Sequence, residues 1–319
     1  MRLFDADRTD TVLELDAALR RRISARQLLW IDVEGPLDTG TADAIARRLE
    51  LKPSTRTNLE HPRGGAHVAV HGSYFHIRLA TEADHEPSES PHWLDLVAAD
   101  NVVLSSHADP VPFLADLDDR IEADATVGAI DAAAFVATTI DSALTSYFKA
   151  IDEIEEDVEQ LDARALTRTD GSDVLADLVA LRRRIARLRR VLSSQRDVFA
   201  AFRTPDFGVI ASGQDSEAFH ALAVRFEDAL QSVDDSRDGL LGSFDIFMTR
   251  TGQRTNEIMK ILALATVLLL PGSLIAGLLG MNVVVPLGKD DPLSFWLVVG
   301  LIALLAVVVL IGARVRHWI

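Results

Sequence analysis

A chain of 319 residues can hold two or three structural units, and its 48 Asp and Glu against 32 Lys and Arg, a formal net charge of −16, have the wrong sign for gripping a nucleic-acid backbone. It has no cysteine, which excludes disulfides and thiolate metal sites and leaves no redox inference to draw. The 48% hydrophobic average conceals a division, because the apolar residues gather after residue 257.

The opening MRLFDADRTD lacks the apolar stretch of a signal peptide. Residues 1–130 read as a mixed α/β domain. LLWIDVEG at 28–35 is an apolar run closed by Gly35 and Pro36, the pattern of a strand, and TADAIARRLEL at 41–51 has helical periodicity. HVAVH at 67–71 and YFHIRLA at 74–80 flank Gly72-Ser73, which predicts a hairpin with a two-residue turn. HWLDLVAAD at 92–100 and NVVLSSH at 101–107 supply two more strands, and 109–124 a helix. No nucleophile–base pair and no phosphate-binding GxxxxGK[ST] loop stands out, so an enzyme is not expected.

Six of the nine histidines, His61, His67, His71, His76, His85 and His92, fall within this domain, which suggests a zinc cluster. On strands, however, His67 and His71 share one face while His76 lies across the turn, and no pair stands at i, i+4 on a helix as a metal motif would. Exposed sheet residues are the expectation.

From 131 to 257 the chain reads as helix. IDEIEEDVEQLDARAL at 151–166 is acidic, with Ile151, Ile154, Val158 and Leu161 as its apolar stripe. DVLADLVALRRRIARLRRVL at 173–192 answers it with six arginines, which fits either an antiparallel pair held by charge or two solvated faces. A Pro- and Gly-containing loop at 204–216 follows. Beyond it Phe219, Leu222, Phe226, Leu230, Val233, Leu240, Phe244 and Phe247 recur at steps of three, four or seven, with no helix breaker of substance until Pro271. About 64 residues at roughly 1.5 Å each make a stalk of about 95 Å.

Residues 258–280 and 293–313 are each long and apolar enough to cross a bilayer. Arg250, Arg254 and Lys260 flank the first, and Arg314, Arg316 and His317 close the chain as a short basic tail at 314–319. The connecting loop carries only Lys289 against Asp290 and Asp291. By the positive-inside rule both termini lie in the cytoplasm of a multi-pass cell-membrane protein. The second span is uniformly aliphatic and reads as lipid-facing. The first is not, because Asn256, Met259, Ala263, Thr266, Leu270, Ser273 and Gly277 form a smaller, more polar line at alternating steps of three and four. Packing through small residues would explain part of it. Counting back, the same line passes through Gly252, Thr249, Asp245, Gly242, Asp238 and Asp235, so carboxylates would ring the cytoplasmic mouth of any central pore; a solvated acidic face is the other reading.

The first span ends in Gly280-Met281-Asn282, eleven residues after Pro271, where unpaired helix carbonyls and an amide can hydrogen-bond the water shell of a cation. With TNEIMK at 255–260, Pro271 and the closing ARVRHWI, this tripeptide resembles the CorA family of divalent-cation transporters. The resemblance implies a cytoplasmic α/β domain followed by a long α-helical stalk and two C-terminal transmembrane helices, assembled as a homopentameric funnel. It implies an ion entrance at Gly280, Met281 and Asn282, a pore lined by the first span, an inward carboxylate at Asp245, and divalent ions as both cargo and regulators between subunits. The sensing residues do not carry over, since Ala221 stands where a carboxylate was wanted; Glu227, Asp228, Asp234, Asp235 and Asp238, with Glu82 and Asp84, are candidates by charge alone.

Mg2+ is the expected ion, with Co2+ and Ni2+ as further cargo, although Leu279 replaces the Tyr frequent in magnesium-transporting members and the loop lacks Met-Pro-Glu-Leu. Both departures resemble the ZntB-type zinc branch. A membrane-anchored structural or signalling protein is the alternative of another class, and it predicts randomly phased polar residues in the first span.

Overall fold

The computed structural model describes residues 1–5, 11–24, 26–61, 64–81, 91–122, 131–167, 171–204, 207, 214–281 and 292–315. The predicted positions Asn282, Glu82, Asp84, His85, Arg316 and His317, most of the 204–216 loop and the loop residues 283–291 lie outside them. Two compact units are resolved, Met1–Ser243 and Phe244–Ile319.

The first unit is built on a seven-stranded sheet in the order β2-β1-β3-β7-β6-β5-β4. Its strands are β1 (Arg2–Asp5), β2 (Thr11–Val12), β3 (Gln27–Glu34), β4 (His67–His71), β5 (Tyr74–Thr81), β6 (His92–Ala99) and β7 (Val102–His107). The hairpin forms as the Gly72-Ser73 turn dictates, with His71 opposite Tyr74, and Gly72 takes a φ of 30° that disfavours a side chain. Among the described strands only β3 and β7 run parallel.

Helices α1 (Leu15–Arg20), α2 (Thr39–Arg48) and α3 (Pro53–Glu60) cover one face. There Leu37, Ile45 and Leu59 close over Leu29, Ile31, Val97 and Leu104. Asp38 caps α2 by accepting from the backbone N–H of Gly40 and Thr41, and Pro53 starts α3, where its missing N–H costs nothing.

The other face meets α5 (Ala132–Thr167), α7 (Arg196–Ala201) and the start of α8 (Gln214–Leu279), with α4 (Pro112–Glu122) and α6 (Gly171–Ser193) packed on α5. Phe135 of α5 packs on Phe4 and Trp30, and the Tyr147 hydroxyl donates to the Ala80 carbonyl of β5 at 2.7 Å. A chain of rings joins sheet to helices: Phe75 touches Phe207 and Phe219, Phe202 touches both of those, and Phe199 stacks on Phe226 at 4.1 Å. Each such ring is worth about 1.5–3 kcal/mol of burial.

The expected apolar stripe of α5, Ile151, Ile154, Val158 and Leu161, is buried, as are Leu178, Leu181, Ile185 and Leu188 of α6 and Phe219, Leu222, Phe226, Leu230 and Val233 of α8. The three form a bundle, and charge pins its flanks. Arg184 of α6 reaches Glu153 at 2.6 Å and Asp157 at 3.1 Å on α5, whereas Arg189 reaches Asp234 of α8 at 2.6 Å. Arg225 of α8 pairs with Asp141 of α5. Part of the arginine run therefore answers the acidic helix, and part does not.

Candidate functional site

In the second unit, the outer part of α8 lies against α9 (Pro292–Val315), and each helix partly covers one stripe of the other. Leu264, Leu268, Pro271, Gly272, Ile275 and Leu279 of α8 are the less exposed residues from 261 to 280; Val298, Ile302, Ala306, Val309 and Ala313 are their counterparts on α9. Gly272 is one point of contact: a Cβ there would sit 3.4 Å from Ile302 Cγ2.

The polar line points elsewhere. Asn256, Met259, Ala263, Thr266, Leu270, Ser273 and Gly277 are all exposed, Met259 at 59% and Leu270 at 61%, so none is spent on the second helix. Thr266 donates its hydroxyl proton to the Leu262 carbonyl at 2.8 Å and Ser273 donates to Leu270 at 2.9 Å. With their protons committed to the helix, these oxygens present lone pairs outward, as a cation or its water needs. Pro271 has no N–H for the Val267 carbonyl, which frees one more acceptor inside the helix.

The helix ends at Leu279. The Gly280 N–H donates to Ala276 at 3.0 Å and the Met281 N–H to Leu278 at 3.4 Å. A Cβ on Gly280 would lie 3.2 Å from the Ala276 carbonyl oxygen, tighter than a side chain tolerates without movement of that turn.

Asp245 and Asp238 are exposed on the same line of α8, Asp238 within 3.4 Å of Arg237. Other acidic candidates are already balanced: Asp234 by Arg189, and Glu227 by Arg196 at 3.9 Å. Asp235 accepts from Gln231 at 2.8 Å, and Asp228 is exposed.

The histidines are not uniformly exposed, which corrects the sequence reading. His76 is fully buried and lies 2.7 Å from Asp95, which also takes Arg78 at 3.0 Å. His67 abuts His76 edge-on at 4.8 Å, and burial, then His76, hold its pKa below the ordinary imidazole value. Among the described residues no group of three or more His, Asp or Glu is placed to hold a metal.

Sequence reading also passed over His107 and Asp32. The His107 Nδ1 faces the Asp109 carbonyl at 2.7 Å and Nε2 faces Asp32 at 3.2 Å, and Ser105 donates to the same Asp32 oxygen. Two acceptors call for a doubly protonated ring. Burial opposes that charge, but the Asp32 and Asp109 hydrogen bonds and the Asp32 and Glu34 charges outweigh it and raise the pKa. A raised folded-state pKa contributes stability in full below the unfolded value near 6.5 and loses it as pH climbs through the folded value. The melting temperature of the wild type is therefore expected to fall more steeply than that of His107→Gln as pH rises above 6.5; parallel profiles would refute this.

A sequence profile for the CorA-like Mg2+ transporter protein family matches residues 25–312. The chain is 29% identical over 178 residues to the cobalt/magnesium transport protein CorA of Methanocaldococcus jannaschii, an alignment covering 54% of each protein. It is 30% identical over 200 residues to the divalent cation transporter CmaX of Pseudomonas aeruginosa, covering 61% of this chain and 58% of that one. The matched segments thus span little more than half the length of these relatives. In structure the chain is similar to the complete CorA magnesium transporter of M. jannaschii, with a TM-score of 0.76 at 21% identity over 100% of this chain and 98% of that one. The cytoplasmic domain of ZntB from Vibrio parahaemolyticus aligns with a TM-score of 0.62 at 11% identity, over 79% of this chain and 98% of that domain. The expected architecture, an α/β domain, a long helix and two C-terminal apolar helices, is the fold of the full-length neighbours.

Proposed function

We propose, from the premise that this chain belongs to the CorA-like Mg2+ transporter family, that it carries divalent cations across a membrane through an axial pore lined by α8. The observation that carries this reading is the division of labour on α8. Its partly covered stripe from Leu264 to Leu279 is turned to α9, while the line from Asn256 to Gly277, which carries the side-chain oxygens of Asn256, Thr266 and Ser273, stays exposed. Two helices cannot enclose water alone, so copies must close around an axis, and a homopentamer fits the family. An anchor would have no reason to phase its polar residues.

Mg2+ holds its waters tightly, and a path of amide, hydroxyl and carbonyl oxygens suits a hydrated ion, with Met259 and Leu270 as apolar constrictions that can dewet. An inside-negative potential supplies roughly 4–5 kcal/mol per 100 mV for a double charge, enough to drive import without ATP. Both termini are then cytoplasmic, Gly280, Met281 and Asn282 form the outer entrance, and Asp245 and Asp238 line the cytoplasmic mouth. Divalent ions bound between subunits would also regulate opening. Leu279 before the tripeptide favours Zn2+ as a second reading of the cargo.

Purified protein in liposomes, offered Mg2+, Co2+, Ni2+ and Zn2+ in parallel under an imposed inside-negative potential, is expected to take up Mg2+. Uptake of Zn2+ alone would favour the second reading. No uptake of any ion by protein that native mass spectrometry finds assembled would overturn both.

A further inference from the structure

The three-helix bundle of the first unit has one face that nothing among the described residues answers. On α6, Arg184 and Arg189 are spent on α5 and α8, but Arg183, Arg187 and Arg190 recur at steps of four and three on the exposed side, with no partner among the described residues. Three unpaired guanidinium groups on one face are conspicuous in a chain of net charge −16. On α5, at the level fixed by the Arg184–Glu153 and Arg184–Asp157 pairs, Asp152, Glu156 and Glu159 occupy the exposed side in the same way. The buried stripes of the three helices face one another, so these outer faces diverge. The bundle presents a basic flank, an acidic flank, and on α8 the exposed line through Asp235, Asp238 and Gly242.

We propose that the Arg183, Arg187 and Arg190 face of α6 docks on the Asp152, Glu156 and Glu159 face of α5 in a second copy of this chain. The two flanks face apart, so a single two-fold axis cannot bring both into contact, but a head-to-tail contact pairs each basic flank with a neighbour's acidic one and closes into a ring. With the exposed line of α8 turned to the axis, α5 is left at one side of each protomer and α6 at the other, and every basic flank meets its neighbour's acidic one. The proposal rests on the axial-pore reading and assigns the surfaces that set its subunit order. An anionic lipid surface is the competing occupant of the arginines; it would leave the acidic flank unused.

The test uses the full chain in mild detergent. Arg183→Glu/Arg187→Glu/Arg190→Glu and Asp152→Arg/Glu156→Arg/Glu159→Arg are each expected to raise the dissociated fraction in native mass spectra about tenfold or more, because like charges then face each other. The six-fold exchange, which restores opposite signs, is expected to return assembly to the wild-type level, and a general folding defect would not be rescued in this way. In the cysteine-free background, Glu156→Cys/Arg183→Cys is expected to give an oxidised ladder ending at the ring number, whereas either single variant gives none. A wild-type ring unmoved by either reversal, with no ladder, would overturn the docking while leaving the pore reading intact. Loss of binding to anionic vesicles by the arginine variant, with assembly unchanged, would assign the face to lipid instead. A monomeric wild type would remove both the docking and the pore.

Discussion

Liposome uptake is expected to fall to the level of protein-free vesicles in Asn282→Ala, with assembly and melting temperature unchanged. The amide is the side chain proposed to hold the incoming ion's water shell, and a symmetric assembly removes one amide per subunit at once. Methyl groups cannot replace donors and acceptors to a hydrated cation. Gly280→Ala is expected to lose uptake for a separate reason, because the added Cβ would push the last turn away from the Ala276 carbonyl and misdirect the oxygens at the entrance. Wild-type rates in a well-expressed Asn282→Ala protein would remove the entrance filter from the account.

A second large effect lies far from the membrane helices. Asp95→Ala is expected to destabilise the first unit by about 3–5 kcal/mol, because it strands the Arg78 guanidinium in a place without water. The same substitution takes the carboxylate from His76. Arg78 also lies over the Trp93 ring at 5.0 Å, so the loss should register in tryptophan fluorescence during denaturation of the full chain. Asp95→Asn keeps an acceptor and is expected to fall between the two. A midpoint for Asp95→Ala within about 1 kcal/mol of wild type would mean that water or a counter-ion reaches the cluster.

How legible each part was follows from the range of its causes. The β4–β5 hairpin was readable because turn chemistry and alternation sit within a few residues of each other. The polar line on α8 was readable because helical periodicity is local, and so was the buried stripe of α5. The parallel pairing of β3 with β7 was not, since no nearby residue encodes which distant strands meet. The short β1 and β2 and the six-residue α1 are held by the sheet and its neighbours rather than by their own pattern. The sequence reading passed over α3, which is too polar to stand out although Pro53 begins it. His76 misled because its partner Asp95 is nineteen residues away on another strand.

The aromatic chain from Phe75 to Phe226 has a mechanical consequence. Close-packed rings hardly compress, so a tilt imposed on the sheet reaches the first turns of α8 as displacement rather than being absorbed. Farther along the same helix, Gly239, Gly242 and Gly252 have nothing within 4 Å of where a side chain would be. A helix is softest where it lacks side chains to brace it. Within the first unit α8 is therefore least braced at residues 239 and 242, a compliant point beyond a stiff one.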